Sequence, residues 1–185
     1  MNKIWFKNYD PGVPPTIDTA EFRSIAEILE FSFRKFATRP AFHCMGTTLT
    51  FTQIDLASRR FAAYLQHELG LKQGDRVALM MPNILQYPIA LFGVLRAGMV
   101  AVNVNPLYTP RELEHQLKDS GATTIVIFAN SAHVLEKILP QTGVKNVIMT
   151  EIGDLLNFPK NLLVNFVIKK VKKMVPEYSI PSAIS

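Results

Sequence analysis

The sequence predicts an α/β fold: a mostly parallel sheet with helices on both faces and a small antiparallel hairpin appended. Three observations predict it. Val77–Met81 is a continuous apolar run, as expected for a strand covered on both faces, Val100–Val104 reads as the next strand, and Thr124–Phe128 as another apolar one. Between them lie helical patterns of ten residues or more with turn chemistry at each junction, the spacing of parallel crossovers. The segment AFHCMGTTLTF is two β-prone runs broken at Gly46, a hairpin signature.

Taken in order, residues 1–20 carry prolines at 11, 14 and 15, which favour an extended arm. Trp5, Phe6 and Tyr9 are costly to leave in water, so the arm is expected to lie against the body. Ser24 and Glu27 have capping-box spacing, and Ile25, Ile28, Leu29, Ser32 and Phe36 follow one helical face up to Arg39-Pro40. After the hairpin, Thr52 and Asp55 repeat the capping spacing before a stripe of Ile54, Ser58, Phe61, Leu65 and Leu69, stopped by Gly70 and Gly74. Beyond the strand at Val77, Asn83 is a candidate cap and Pro88 belongs in the first turn of the next helix. Ala90, Gly93 and Ala97 give that helix a small-residue face suited to close approach of a strand, and Gly98 suits a left-handed terminator. Thr109-Pro110-Arg111-Glu112 is the best local signal, with a threonine cap, proline at N1 and glutamate at N3; its helix ends at Gly121. A helix over 132–139 closed by Pro140 and a strand over 144–150 follow. From Glu151 the pattern changes. Residues 161–174 place Leu162, Leu163, Phe166, Val167, Val171 and Met174 on one side, with Lys169, Lys170, Lys172 and Lys173 at the carboxyl end, and YSIPSAIS has no closing element. The predicted organisation is thus an arm (1–20), an α/β subdomain (21–150), and a basic amphipathic helix opening a further subdomain (151–185).

A chain of 185 residues, 48% hydrophobic and 19% charged, suits one packed domain. Its net charge of +5 selects no partner class, and scattered basic residues without a stacking strand argue against nucleic acid. Cys44 is the only cysteine, which excludes an intrachain disulfide and a cysteine-rich zinc site and fits a cytoplasmic location. The amino terminus has no signal-peptide pattern, and no apolar run approaches a membrane span.

Catalytic signatures are missing. There is no glycine-rich phosphate loop before a helix and no G-x-S-x-G elbow. His43, His67, His115 and His133 lack i,i+4 pairing, so no metal site is predicted. His115 beside Glu114 reads as an exposed helical histidine in preference to a general base, Cys44 as an inert strand residue, and Asp75-Arg76 as a turn with a solvated charge. For the basic helix, core packing with a solvated lysine face is the leading expectation. Contact with an anionic membrane surface through Lys169, Lys170, Lys172 and Lys173 is the alternative.

Two segments carry a resemblance. TLTFTQIDLASRRFAAYLQ resembles the early L-T-[FY]-x-x-[IL] segment of adenylate-forming (AMP-binding) enzymes. LFGVLRAGMVAVNVNPLYTPRELEHQL is similar to their LxAGxxxxxxNP junction, through Leu95, Ala97, Gly98, Asn105 and Pro106. The Asp75–Gly121 block and the NLLVNFVIKKVKKMVPEYSIPSAIS tail resemble the long-chain fatty-acid–CoA ligase branch. The resemblance implies the amino-terminal part of the adenylate-forming fold, incomplete by itself. It implies a parent reaction that uses ATP, Mg2+ and CoA on a long-chain fatty acid, passing through an acyl-adenylate. It also implies pairing into a homodimer through the amino-terminal region. The family's phosphate loop, adenine motif, magnesium-coordinating glutamate and catalytic lysine have no counterpart here, so no catalytic, cofactor-binding or metal residue is assigned. The chain alone is expected to be inactive and to bind none of these groups, and a cytoplasmic location with peripheral membrane contact is compatible. The alternative function is a non-catalytic docking, dimerisation or membrane-surface module on the same scaffold.

Overall fold

The computed structural model describes residues 3–184 and bears out the α/β class. Strands β3 (Arg76–Met80), β4 (Val100–Asn103), β5 (Thr124–Phe128), β6 (Asn146–Thr150) and β7 (Ala183–Ile184) form one parallel sheet in the order β4-β3-β5-β6-β7. Strands β1 (Pro40–Cys44) and β2 (Thr47–Thr50) form the separate antiparallel hairpin, turning at Met45-Gly46.

Period-two alternation sorts the strand residues into two cores. On one face Ala78, Met80, Ile125, Ile127, Val147 and Met149 pack under helices α4 (Pro110–Ser120) and α5 (Ala132–Glu136). On the other, Val77, Leu79, Val126 and Phe128 pack under α2 (Phe51–Ala63, extended by a π turn to Glu68) and α3 (Gln86–Arg96). Helix α1 (Ile25–Lys35) and the hairpin lie outside α2 and α3, joined through Phe33, whose ring meets Phe51 at 6.4 Å and Phe92 at 6.1 Å.

Helix α4 forms as the sequence predicts. Thr109 accepts from Glu112 N, the Glu112 carboxylate accepts from Thr109 N at 2.8 Å, Pro110 sits at N1, and Gly121 closes the helix at φ 63°. Leu113 and Leu117 are fully buried; each is worth about 2 kcal/mol, more than the ~1 kcal/mol of the cap. The apolar face therefore decides where this helix sits, and the cap decides where it starts.

Several local expectations are corrected. Helix α2 is capped by Thr50 with Gln53 in a full capping box, because Thr50 is already extended at the end of β2; the Thr52 hydroxyl donates instead to Ala37 O at 2.8 Å. Asn83 does not cap α3, which starts three residues later and has no side-chain cap; Pro88 still falls in its first turn. At Gly93 the small face of α3 meets α2, where a Cβ would stand 2.7 Å from Phe61 Cδ1 and 3.0 Å from Ser58 O, while Ala90 and Ala97 pack in the core with Val77 and Leu79 of β3. Glu27 accepts from the Arg23 amide, one residue before the Ser24 cap. The helix predicted over 132–139 ends at Glu136, flanked by 3-10 turns at Ala129–Ser131 and Leu139–Gln141.

The two ends of the chain also differ from expectation. The arm coils into a 3-10 turn at Ile4–Asn8 whose aromatics meet edge-on or tilted, Phe6 against Tyr9 at 5.4 Å, while Trp5 and Tyr9 remain exposed. It does not lie against the body. At the other end, Ala183–Ile184 pairs parallel with β6, and Ile180 is buried in the core with Met149 and Val147. The tail thus adds a short edge strand over part of β6, where the sequence predicts no closing element. Helix α6 (Lys160–Phe166), continued by a π turn over Val167–Val171, has no buried residue, so its apolar side does not pack in the core as expected. Met1, Asn2 and Ser185 lie outside the described residues.

Candidate functional site

The connection leaving β3 runs to α3 on one face of the sheet, and the connection leaving the neighbouring β5 runs to α5 on the other. Adjacent strands whose connections part in this way leave a crevice at their carboxyl ends, the place where open α/β sheets collect ligands. Here it is a crevice of about 480 Å3. Its walls come from Pro82 after β3, the 106–110 loop after β4, the turn after β5 at Asn130 and Ser131, and His133, Val134 and Lys137.

Backbone and side-chain bonds fix these walls. Asn105 accepts from Leu107 N at 3.0 Å, which folds the loop, and Ser131 Oγ donates to Pro106 O at 3.0 Å, which ties the loop to α5. His133 Nδ1 lies 3.0 Å from Asn130 O. A carbonyl only accepts, so Nδ1 carries the proton in that bond and Nε2 is left as the second position. Asn130 Nδ2 donates to Met174 O at 2.9 Å and brings the carboxyl-terminal segment to the same end of the sheet. Lys137 is the only cation in the lining and has no carboxylate at ion-pair distance among the described residues. The crevice offers an apolar and aromatic floor (Tyr108, Phe128, Val134) with one cation at its wall, an arrangement that binds but supplies no nucleophile–base pair.

The groups the sequence singled out are dispersed. His43 Nδ1 meets Thr48 Oγ1 at 2.7 Å across the hairpin. His115 and His67 are exposed, and Glu114 is paired with Lys118, not His115. Cys44 lies half-buried beside an apolar cavity of about 380 Å3 between the hairpin and α3. Asp75 accepts from Lys72 N at 2.7 Å as a turn residue. Among the described residues no three carboxylate, histidine or cysteine groups converge, so the residues present do not fit a magnesium site. Nor do they fit a triphosphate cradle. No glycine-rich loop opens a helix, and the amides at the start of α4 are engaged by its own Thr109 and Glu112. Of the histidines, cysteine and charged pairs that the sequence put forward, His133 alone lines the crevice. Lys137 was missed because its neighbours in sequence carry no motif.

A second polar cluster has no local signature in the sequence. Arg96, its side chain 7% exposed, stacks 4.7 Å from the Phe33 ring centroid and donates to Glu30 Oε1 (3.0 Å from Nε), Asp55 O (2.9 Å) and Ser58 Oγ (2.7 Å), and to the Asp55 carboxylate. Arg59 bridges the same two acids at 2.8 and 2.9 Å. Burial raises the Asp55 carboxyl, but the hydrogen bonds from Arg96 and Arg59 outweigh it and hold the group below its ordinary range. The cluster is turned away from the crevice and pins α1, α2 and α3 together.

The fold is a doubly wound parallel sheet with a ligand-sized crevice at its switch point and, among the described residues, no catalytic cluster. A family model described as AMP-binding enzyme matches residues 29–182, and the chain belongs to that family. It is 58% identical over its whole length to a long-chain-fatty-acid–CoA ligase of Yersinia pestis and 57% identical to one of Escherichia coli O157:H7. It spans about a third (33%) of each. A Mycobacterium tuberculosis fatty acyl CoA synthetase structure is 29% identical and superposes with a TM-score of 0.64, over 68% of this chain and 26% of that one.

Proposed function

We propose that the chain forms the amino-terminal part of an ATP-dependent long-chain fatty-acid–CoA ligase, which joins a long-chain fatty acid to coenzyme A through an acyl-adenylate, releasing AMP and pyrophosphate. The observation that carries this reading is identity of 57% or more sustained across all 185 residues with ligases of that description. In this reading the chain supplies scaffold, and the switch-point crevice is one wall of the substrate site, with Lys137 facing a phosphate-bearing substrate. In the same reading magnesium and the triphosphate are held by other residues of the longer ligase; among the described residues no three carboxylate, histidine or cysteine groups converge. The protein works in the cytoplasm and pairs with a second copy through its arm, whose Ile4, Trp5, Val13 and Ile17 are exposed.

The test is pyrophosphate release with ATP, a long-chain fatty acid and CoA. The chain alone is expected to give none and to bind no ATP; the product of the reading frame extended beyond Ser185 is expected to give acyl-CoA. Failure of that longer protein to form acyl-CoA, or a stop codon directly after Ser185, would favour the non-catalytic docking module instead.

A further inference from the structure

The loop that walls the crevice holds Leu107 out in water, 86% exposed. A single exposed leucine is ordinary. Leu107 differs because its backbone is fixed on every side. Residues 105–108 form a β-turn closed by Tyr108 N donating to Asn105 O at 3.1 Å, with asparagine and proline at the two positions that favour them. Leu107 N donates to Asn105 Oδ1 at 3.0 Å. Just beyond the turn, Thr109 N is held by the Glu112 carboxylate at 2.8 Å.

The third restraint comes from across the crevice. Ser131 stands at the N-cap of α5, where a serine hydroxyl ordinarily accepts from the helix amides. It makes no such bond. The residue is buried, 6% exposed, and its Oγ donates to Pro106 O at 3.0 Å. The hydroxyl thus serves the loop and not its own helix. Asn105 and Pro106, which the sequence presents as part of a family signature, are the two residues through which the loop is tied.

We propose that Asn105 and Ser131 are positioning residues for the ligase reaction. They hold Leu107 and Tyr108 as a preformed platform for the ring of a phosphate-bearing substrate, whose phosphate meets Lys137 in the same crevice. A platform fixed before binding avoids the ordering cost that a loose loop would impose on the ligand. A small ligand fits better than a protein partner: the exposed apolar group is one leucine at the rim of a concave site of about 480 Å3, within the range that small molecules occupy. The inference rests on the ligase reading and deepens it by giving roles to residues that touch no reacting atom.

The experiment is steady-state kinetics of the longer ligase, varying ATP and CoA in turn, with hydrogen exchange on the same proteins. Ser131→Ala and Asn105→Ala should each raise the KM for one of the two substrates about fivefold, equivalent to about 1 kcal/mol, with kcat little changed. Exchange should quicken at the Leu107 and Tyr108 amides and not in β3 or β5. Asn105→Ser, whose hydroxyl can accept the same amide, should recover most of the loss. Leu107→Ala should raise the same KM and add little when combined with Asn105→Ala, because the two act through one platform. Unchanged KM values, a fall in kcat instead, equal losses in Asn105→Ser and Asn105→Ala, or full additivity with Leu107→Ala would overturn the inference and leave the ligase reading standing. So would exchange that quickens across the sheet. An unsubstituted longer protein that forms no acyl-CoA would overturn the ligase reading, and the inference with it.

Discussion

Replacing Arg96 by Met isolates what the buried cluster contributes. Arg96 is 7% exposed and serves Glu30 and Asp55, whose side chains are 33% and 21% exposed. Removing one partner of a fully buried ion pair costs about 3–5 kcal/mol. Here both acids reach some water and keep Arg59, so we expect a loss of about 2–3 kcal/mol at neutral pH. With a urea slope of about 2 kcal/mol per molar, the unfolding midpoint should fall by about 1–1.5 M. The loss should depend on pH in a defined sense. Asp55 titrates lower in the folded protein than in the unfolded chain, so its stabilisation is fully present above the unfolded value of about 3.9 and disappears as the pH falls through the lower folded value. In acid below that window the difference between Arg96→Met and the parent should shrink to the hydrogen bonds to Asp55 O and Ser58 Oγ and a small packing change, because Met keeps most of the stem over Phe33. Urea titrations of both proteins, neutral and at a pH about two units below the ordinary carboxylate value, decide the matter. A midpoint shift under about 0.3 M at neutral pH, or a loss equally large in acid, would refute the reasoning.

The remaining predictions concern the crevice, the best cap and the arm. In the longer ligase, Lys137→Ala should raise the KM for a phosphate-bearing substrate about tenfold, the worth of one charge-assisted hydrogen bond, with kcat little changed; steady-state kinetics varying ATP and CoA in turn would reveal it. The Glu112 carboxyl, held below its ordinary range by the backbone and side-chain hydrogen bonds from Thr109, should titrate closer to that range in Thr109→Val, as carboxyl NMR can follow. Deleting residues 1–20 should convert a dimer to a monomer by light scattering while leaving the circular dichroism of the body intact.

The sheet was legible because its signals are local. β3 and β5, buried on both faces, read as unbroken apolar runs, the edge strand β4 reads as Val-Ala-Val, and the α4 cap, proline and terminator follow one another within a single helix, so these elements follow from the sequence within a residue or two. What was not legible depends on partners distant in sequence. Thr52 has the capping spacing in the sequence, and only the end of β2 at Thr50 moves the cap two residues earlier. Gly93 looks suited to any close neighbour until α2 arrives with Phe61 and Ser58. Arg96 has a helix-end position, but Glu30 and Asp55 are 66 and 41 residues away. The crevice is drawn from three strand ends 20 residues or more apart, and no spacing rule announces it.

The outward side of α6 shows why an amphipathic pattern by itself does not fix orientation. A helical stripe says only that one side is apolar, and burial is the usual consequence when nothing competes. Here Asn165, Lys160 and Lys169 compete: their hydrogen bonds to Gly153, Met45 and Glu151 are satisfied only if the polar side faces the body. Gly153 makes that approach possible, since any side chain there would collide with the helix backbone at Asn161. Gly153→Ala should therefore push α6 off the body and release the Lys169–Glu151 pair, while both cores of the sheet, which do not include Gly153, stay intact. Hydrogen exchange would separate the cases. Faster exchange confined to 153–174 supports the argument, and exchange that rises across β3, β5 and β6 would mean the segment is part of the sheet's own cooperative unit.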